Sequence, residues 1–416
     1  MICIAVDGCR ASALGTYANT WQPTAFLDRL ASVSLVLDWM WNVYPENDAI
    51  YRQLWSLPDP AHSTVHLTPG LPCDLPSAVV NAGGRVALVT DDPTLVQQVS
   101  DLPLSELLFV PPVSPGDAVQ AESSTETELA RLFATAAEFL PHWVDSAADQ
   151  QPSLLWIDAR GWGGLWDAPA AYRQRGRDAQ DPPAPAWIVP PTENRVTDPD
   201  EQFAWRLAYA AQVAVLDECC EALAAAMNAL PLTEPPRLLL VGKRGFPLGE
   251  HATVGWGENR LFSELLHIPC LLAERTRDWD CARDHRLATL GDVPVAVLRG
   301  LTGAPPQGSP REGAGGGTRP EEVSWPWADC KEMAIRAGNS QGDRVLRAAS
   351  WMLLNPQQGD PQLYIKPDDR WEFNDVASRC PQVVDSLLPH CDDPTAPLGA
   401  VRLERDLIER IERSER

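Results

Sequence analysis

The chain has 416 residues, 44% of them hydrophobic, and a formal net charge of −23. That is enough apolar material for a large core, so wholesale disorder is excluded. A field this acidic repels nucleic acid and anionic membrane surfaces, and neither is an expected partner. The basic residues are nearly all arginine, with lysine only at Lys243, Lys331 and Lys366. The ten cysteines form no CxxC pair and no zinc spacing. Cys219 and Cys220 are adjacent in a helical pattern and point about 100° apart, which does not suit a shared tetrahedral site. Reduced, mostly buried thiols are expected. The chain opens directly on a strand pattern, with no signal-like segment and no apolar run of about 20 residues, so a cytoplasmic location is the expectation.

Ile2 to Val6 reads as a short buried strand with Asp7-Gly8-Cys9-Arg10 at its carboxyl end. Pro23 to Ala31 reads as a helix, Leu35 to Trp41 as a strand and Asn47 to Trp55 as a helix. Leu75 to Asn81 is a helix stopped by Gly83-Gly84. Arg85 to Thr90 is a strand ending in Asp91-Asp92-Pro93, where either aspartate could cap the next helix. Leu107 to Val110 reads as a strand, Thr125 to Phe139 as an amphipathic helix, and Ser153 to Ile157 as a strand before Asp158 and Arg160.

Asp200 to Leu230 is the longest helix. Leu238 to Val241 is an apolar run that breaks into Gly242-Lys243-Arg244-Gly245, as a strand does at the ligand-binding edge of an open α/β sheet. A glycine-rich turn into a helix is expected over Gly255 to Leu265, then a strand over Ile268 to Leu272. Residues 301–322 are linker-like. Beyond them, Met333 to Ala337 and Ala348 to Leu353 look like hairpin strands joined through Gly338 to Asp343, with Leu363 to Ile365 as a third. Ala377 to Leu388 and Val401 to Arg416 read as helices, the latter amphipathic with Glu/Arg pairs.

Strands alternating with helices predict an α/β fold with a mostly parallel central sheet flanked by helices, followed by a small antiparallel α+β subdomain. The expected divisions are a core over 1–300, the linker over 301–322, the subdomain over 323–400 and a helical tail over 401–416.

Several segments, in order, resemble the sulfatase family of the alkaline-phosphatase-like superfamily. Asp7 to Arg10, with Pro23-Thr24-Ala25-Phe26-Leu27-Asp28-Arg29-Leu30-Ala31, is similar to the family's strand-Asp-x-x-Arg start and its TPNLDRLA helix. Trp166-Asp167-Ala168-Pro169 is similar to PWDPP, Leu248-Gly249-Glu250-His251 to LGEH, and Leu265-Leu266-His267-Ile268-Pro269 to LLRVP. The helix segments Tyr209 to Val213 and Leu216-Asp217, and the closing stretch from Leu363 to Ala377, follow the same pattern.

The resemblance implies a calcium ion on oxygen ligands, a cysteine or serine converted to formylglycine as nucleophile, and cationic side chains around the sulfuryl oxygens. Asp7 matches the first ligand, unless it only caps its turn. The nucleophile turn falls near Val43 to Arg52, which holds no Cys, Ser or Thr, although Arg52 echoes the motif's arginine. Asp91 stands where the family often has Gly-Lys-x-His, and Asp158 where it has a histidine. Lys243 and Arg244 occupy the two metal-ligand positions of Asp-His-Gly or Asp-Asn-Gly, which inverts the charge of the site.

Three functions are therefore open. The first is a catalytically degenerate protein acting by binding or assembly, without a cofactor and with Lys243 or Arg244 paired to Asp7. The second is an active sulfuric or phosphoric ester hydrolase with a metal on Asp91, Asp92, Asp158 and His251. The third is a small-anion binder using Lys243, Arg244 and Arg10.

Overall fold

The structure, a computed structural model, describes residues 1–57, 74–147, 151–191, 194–232, 236–256, 260–273, 282–302, 333–393, 398–403 and 407–408. The first half runs β1 (Ile2–Val6), α1 (Ala25–Ala31), β2 (Ser34–Trp41), α2 (Asn47–Trp55), α3 (Leu75–Asn81), β3 (Arg85–Thr90), α4 (Pro93–Gln98), β4 (Glu106–Phe109), α5 (Glu128–Asp145) and β5 (Ser153–Ala159). It continues with α6 (Ala170–Arg173), β6 (Asn194–Arg195), α7 (Pro199–Asn228), β7 (Leu238–Gly242), β8 (Thr253–Val254), α8 (Ser263–Leu266), β9 (His267–Ile268), β10 (Cys270–Ala273), β11 (Ala282–Thr289) and α9 (Val293–Thr302). The last part holds β12 (Met333–Gly338), β13 (Arg344–Arg347), β14 (Trp351–Asn355), β15 (Gln362–Ile365), α10 (Pro381–Asp392) and β16 (Gly399–Arg402).

The main sheet has the order β11-β2-β10-β7-β1-β5-β3-β4, with β9 added against β2. Its middle, β7-β1-β5-β3, is parallel, whereas β10 runs antiparallel to both β7 and β2. Side-chain alternation along β1 assigns its two faces. Ile2, Ile4 and Val6 pack with α1, α5 and α7. Cys3 and Ala5 face the layer built from α2, α3 and α9. A strand covered on both faces has to be apolar throughout, as Ile2–Val6 is.

The second sheet is antiparallel, in the order β15-β14-β13-β12-β16. One face, with Ile335, Val345, Met352 and Tyr364, packs on Trp41, Leu265 and Leu287 of the first unit. The other, with Leu346, Leu353 and Leu363, is covered by Val383 and Leu387 of α10.

Four expectations are corrected. The first hairpin partner of β12 is β13, not the segment from Ala348 to Leu353. The four residues of β13 place only Val345 and Leu346 between two arginines, too short a pattern to register as alternation. The helix predicted from Ala377 begins at Pro381, whose fixed φ suits a first helical position. Of the turn and helix predicted over Gly255 to Leu265, the described residues are helical only from Ser263, in Ser263–Leu266, and residues 257–259 lie outside them. Val401 and Arg402, predicted as tail helix, are strand residues paired with Ala334 and Met333. Most of the remaining tail, and residues 303–322 of the predicted linker, lie outside the described residues. No described helix is long and apolar enough to cross a membrane.

Candidate functional site at the carboxyl edge of the central sheet

Strand order decides which side chains meet. β1 lies between β7 and β5, with Val6 level with Gly242 on one side and Ala159 on the other. The residues at or just past these strand ends therefore share one edge: Asp7 after β1, Asp158 within β5, and Lys243 and Arg244 after β7. The backbone fixes the level, since Lys243 N donates to Val6 O at 2.9 Å and Asp7 N to Ala159 O at 3.1 Å.

Arg244 grips Asp7 in a fork. Its Nε and Nη2 donate to Oδ1 and Oδ2, each at 3.0 Å, and its Nη1 donates to Pro45 O at 2.9 Å. The indole of Trp256 lies against the guanidinium, 3.7 Å from ring centroid to Cζ, while its Nε1 donates to Gly245 O at 2.8 Å. This two-pronged, aromatic-backed geometry suits the planar guanidinium and not an ammonium.

Lys243 passes over β1 to β5. Its Nζ donates to Asp158 Oδ1 at 2.7 Å and to Tyr51 Oη at 3.3 Å, and Asn42 Nδ2 holds the Lys243 carbonyl at 2.7 Å. Lys243 is 1% exposed and Asp158 0%. Burial works against the Lys243 ammonium, but Asp158, with Tyr51, Asp7 and Asp92 around it, holds its pKa well above the ordinary lysine value. Burial pushes the Asp158 carboxyl up to about 6 against the pull of Lys243, so both partners are charged at neutral pH.

The neighbouring carboxylates are also committed. Tyr51 donates to Asp92, which caps α4 by accepting from Thr94 N and Leu95 N. Asp91 accepts from Arg160 N at 2.8 Å.

An adjoining cluster holds Arg10 and His251. Arg10 Nη1 donates to Glu250 Oε1 at 2.6 Å, and Glu250 Oε2 accepts from Leu248 N at 2.8 Å. His251 stacks on Phe262 with centroids 3.6 Å apart. Its Nδ1 lies 2.7 Å from Glu264 Oε1 and its Nε2 3.2 Å from Glu372 O. With Glu264 ionised, both acceptors are met by the imidazolium, in which both ring nitrogens donate. Burial opposes that charge, but Glu264 raises the His251 pKa above its ordinary value. Glu372 in turn pairs with Lys366, so His251 ties the core to the second sheet.

Of the residues singled out in the sequence, Asp7, Asp158, Lys243 and Arg244 converge, with Asp91 beside them. Arg10 and His251 belong to the adjoining cluster. Arg52 is exposed on α2, and its neighbour Tyr51 is the one turned inward. The residues that sequence reading missed are Tyr51, Asn42, Trp256, Glu250, Glu264 and Glu372.

The calcium ion implied by the resemblance does not fit these donors. Both Asp7 oxygens are taken by Arg244, and Asp158 carries Lys243. A hard dication needs at least six oxygens and no adjacent cations. The alternative set of Asp91, Asp92, Asp158 and His251 does not converge either. Among the described residues, no group of three or more His, Cys, Asp or Glu could hold a metal.

Burial has one measurable consequence for pH. It pushes Asp91 and Asp292 up to about 7 and Asp167 up to about 6. Between the ordinary carboxylate value and these values the folded state binds more protons than the unfolded chain, so stability falls as pH rises through that window. Two groups oppose this: His267, which burial lowers to about 3, below its ordinary value, and the Met1 amine, which burial lowers to about 6, between that value and its ordinary value near 8. The carboxylates outweigh these, so we expect a modestly higher thermal midpoint at about pH 5.5 than at about pH 8 by calorimetry. A midpoint that rises over this interval would contradict the buried-carboxylate account.

No family model matches the chain, and no curated protein sequence does. Solved structures do. The phosphonate monoester hydrolase of Agrobacterium radiobacter superposes with a TM-score of 0.65 at 14% identity, covering 99% of this chain and 95% of that one. BT4656, solved in complex with its substrate D-glucosamine-2-N,6-O-disulfate, gives 0.65 at 12% identity, covering 95% and 98%. BT1596, a 2-O GAG sulfatase, gives 0.60 at 14% identity, covering 98% and 95%. The chain thus has, over nearly its whole length, the fold of these sulfatases and phosphonate monoester hydrolases.

Proposed function

We propose that this chain is a catalytically degenerate relative of those hydrolases, without a metal cofactor, that acts by binding or assembly. The observation that carries the reading is the pair of buried ion pairs, Arg244 with Asp7 and Lys243 with Asp158. The protein supplies its own fixed positive charge where a hydrolase of this fold would need an exchangeable cation and a polarised ester. Ester hydrolysis with a metal on Asp91, Asp92, Asp158 and His251 has less support, because each of these side chains already has a protein partner. Anion capture by Lys243 and Arg244 has less support for the same reason, since Arg244 Nε, Nη1 and Nη2 all have acceptors.

The test is an assay with aryl sulfate, aryl phosphate and aryl phosphonate monoesters, with and without added Ca²⁺ or Mn²⁺, alongside metal analysis of the purified protein. The expected result is turnover no faster than the buffer control, and a metal content well below one ion per chain. Turnover that is lost in Asp7→Ala, or a stoichiometric metal, would overturn the reading.

A further inference from the structure

A small recess lies beside Arg10, between the start of the chain and α7. Its cavity volume is about 70 Å³, and Arg10, Asn19, Trp21, Gln22, Arg206 and Tyr209 contribute to its wall. Its lining is set by helical spacing, because Arg206, Tyr209, Ala210 and Val213 recur on one face of α7.

The recess holds more hydrogen-bond donors than acceptors. Gln22 is 3% exposed, and its Nε2 is buried with no partner. Arg10 Nε is likewise buried with no partner, although Arg10 Nη1 is paired with Glu250. Arg206 is half-buried and makes no ion pair or hydrogen bond among the described residues. The other polar groups are already satisfied. Asn19 Oδ1 accepts from Trp21 N and Gln22 N, and its Nδ2 donates to Ala13 O. The Tyr209 hydroxyl donates to Gly8 O at 2.7 Å and accepts from Arg10 N at 3.3 Å.

The recess lining carries two guanidiniums and no carboxylate; Arg10 is paired with Glu250 and also faces Glu264, whereas Arg206 makes no ion pair among the described residues. Buried donors without acceptors are costly, and natural proteins fill such positions with water or a ligand. Water brings acceptors but no charge. A small anion brings both, and about 70 Å³ is roughly the share of two waters, room for an oxyanion head of a few heavy atoms.

We propose that this recess is a binding site for a small oxyanion, held by Arg206, Gln22 Nε2 and Arg10 Nε. Trp21, 41% exposed, forms its outer wall. The site does not use Lys243 or Arg244, and it stands whether or not the sheet edge has activity.

The experiment measures the thermal midpoint of the full chain titrated with sodium acetate, sodium sulfate or sodium phosphate, against sodium chloride at matched ionic strength. The expected result is a midpoint raised by a few degrees over chloride by at least one oxyanion, with acetate against sulfate and phosphate separating a planar from a tetrahedral preference. Arg206→Gln should weaken that response about tenfold in apparent affinity, the loss of one charged hydrogen bond. Gln22→Met removes an unpaired donor at similar volume, so it should keep or raise the ligand-free midpoint while weakening the oxyanion response. No oxyanion effect beyond chloride, or an undiminished effect in Arg206→Gln, would overturn the proposal. So would a lowered ligand-free midpoint in Gln22→Met with the response intact, because the amide would then be serving Arg10 or Arg206 as an internal partner.

Discussion

Replacing Arg244 with alanine should cost about 3–5 kcal/mol of unfolding free energy, measured by urea denaturation, because it strands the Asp7 carboxylate without its partner in a buried site. Asp7 is 8% and Arg244 5% exposed, so solvent cannot take over the role of the lost cation. An exposed pair broken in the same way costs less than about 1 kcal/mol, and a value in that range would mean that water reaches the carboxylate. The companion test separates charge from shape. Replacing Lys243 with methionine and Asp158 with leucine together removes the second pair as a unit. Swapping a whole buried ion pair for apolar groups of similar volume is often neutral or stabilising, so the double variant should lie well above Lys243→Met alone. A double variant as unstable as the single would mean that Asp158 serves a partner other than Lys243.

Gly245→Ala should be at least as damaging, for a steric reason. A Cβ at Gly245 would sit 2.0 Å from the carbonyl oxygen of Glu264 and 3.1 Å from Arg10 Cβ. The obstructing atom is backbone, fixed by the Gly245 N to Leu265 O hydrogen bond at 2.7 Å, so it cannot swing aside. The turn carrying Arg244 would have to move away from α8, breaking that bond and disturbing the contact of Glu264 with His251. A loss of more than about 3 kcal/mol, or insoluble expression, is expected. Gly116→Ala is the control: nothing lies within 4 Å of its added Cβ, and its unfolding midpoint should stay within about half a kcal/mol of the parent. A similarly small effect at Gly245 would show that the turn and α8 are not in close contact.

The sequence carried the fold well where burial imposes a pattern, and poorly where it does not. Ile2–Val6, Arg85–Thr90 and Leu238–Gly242 are apolar because helices cover both sides of them, and each could be read directly. β11 was not legible. Its sequence, ARDHRLAT, is charged through its first half because it forms the exposed edge of the sheet. Helix α9, which follows it, went unread as well. The candidate site divides along the same line. Residue types at strand ends marked Asp7, Asp158, Lys243 and Arg244. Which cation would meet which carboxylate was hidden, because that depends on β1 lying between β7 and β5, and strand order is a property of the whole chain. Arg52 drew attention through a motif, yet a helix turns about 100° per residue, and it is Tyr51 that faces inward.

The crossing of Lys243 over β1 bears on how this chain could change over time. Its carboxylates and cations form a set in which any one substitution leaves a buried charge alone. Putting an oxygen ligand at position 243 or 244, one residue at a time, passes through an intermediate that has lost about 3–5 kcal/mol. Against a total of about 5–15 kcal/mol for a typical domain, many such intermediates would not stay folded. A stepwise route to a metal-binding edge is therefore blocked by instability. A chain with this arrangement sits behind a ratchet, free to drift at exposed Arg52 but held at Asp7, Asp158, Lys243 and Arg244.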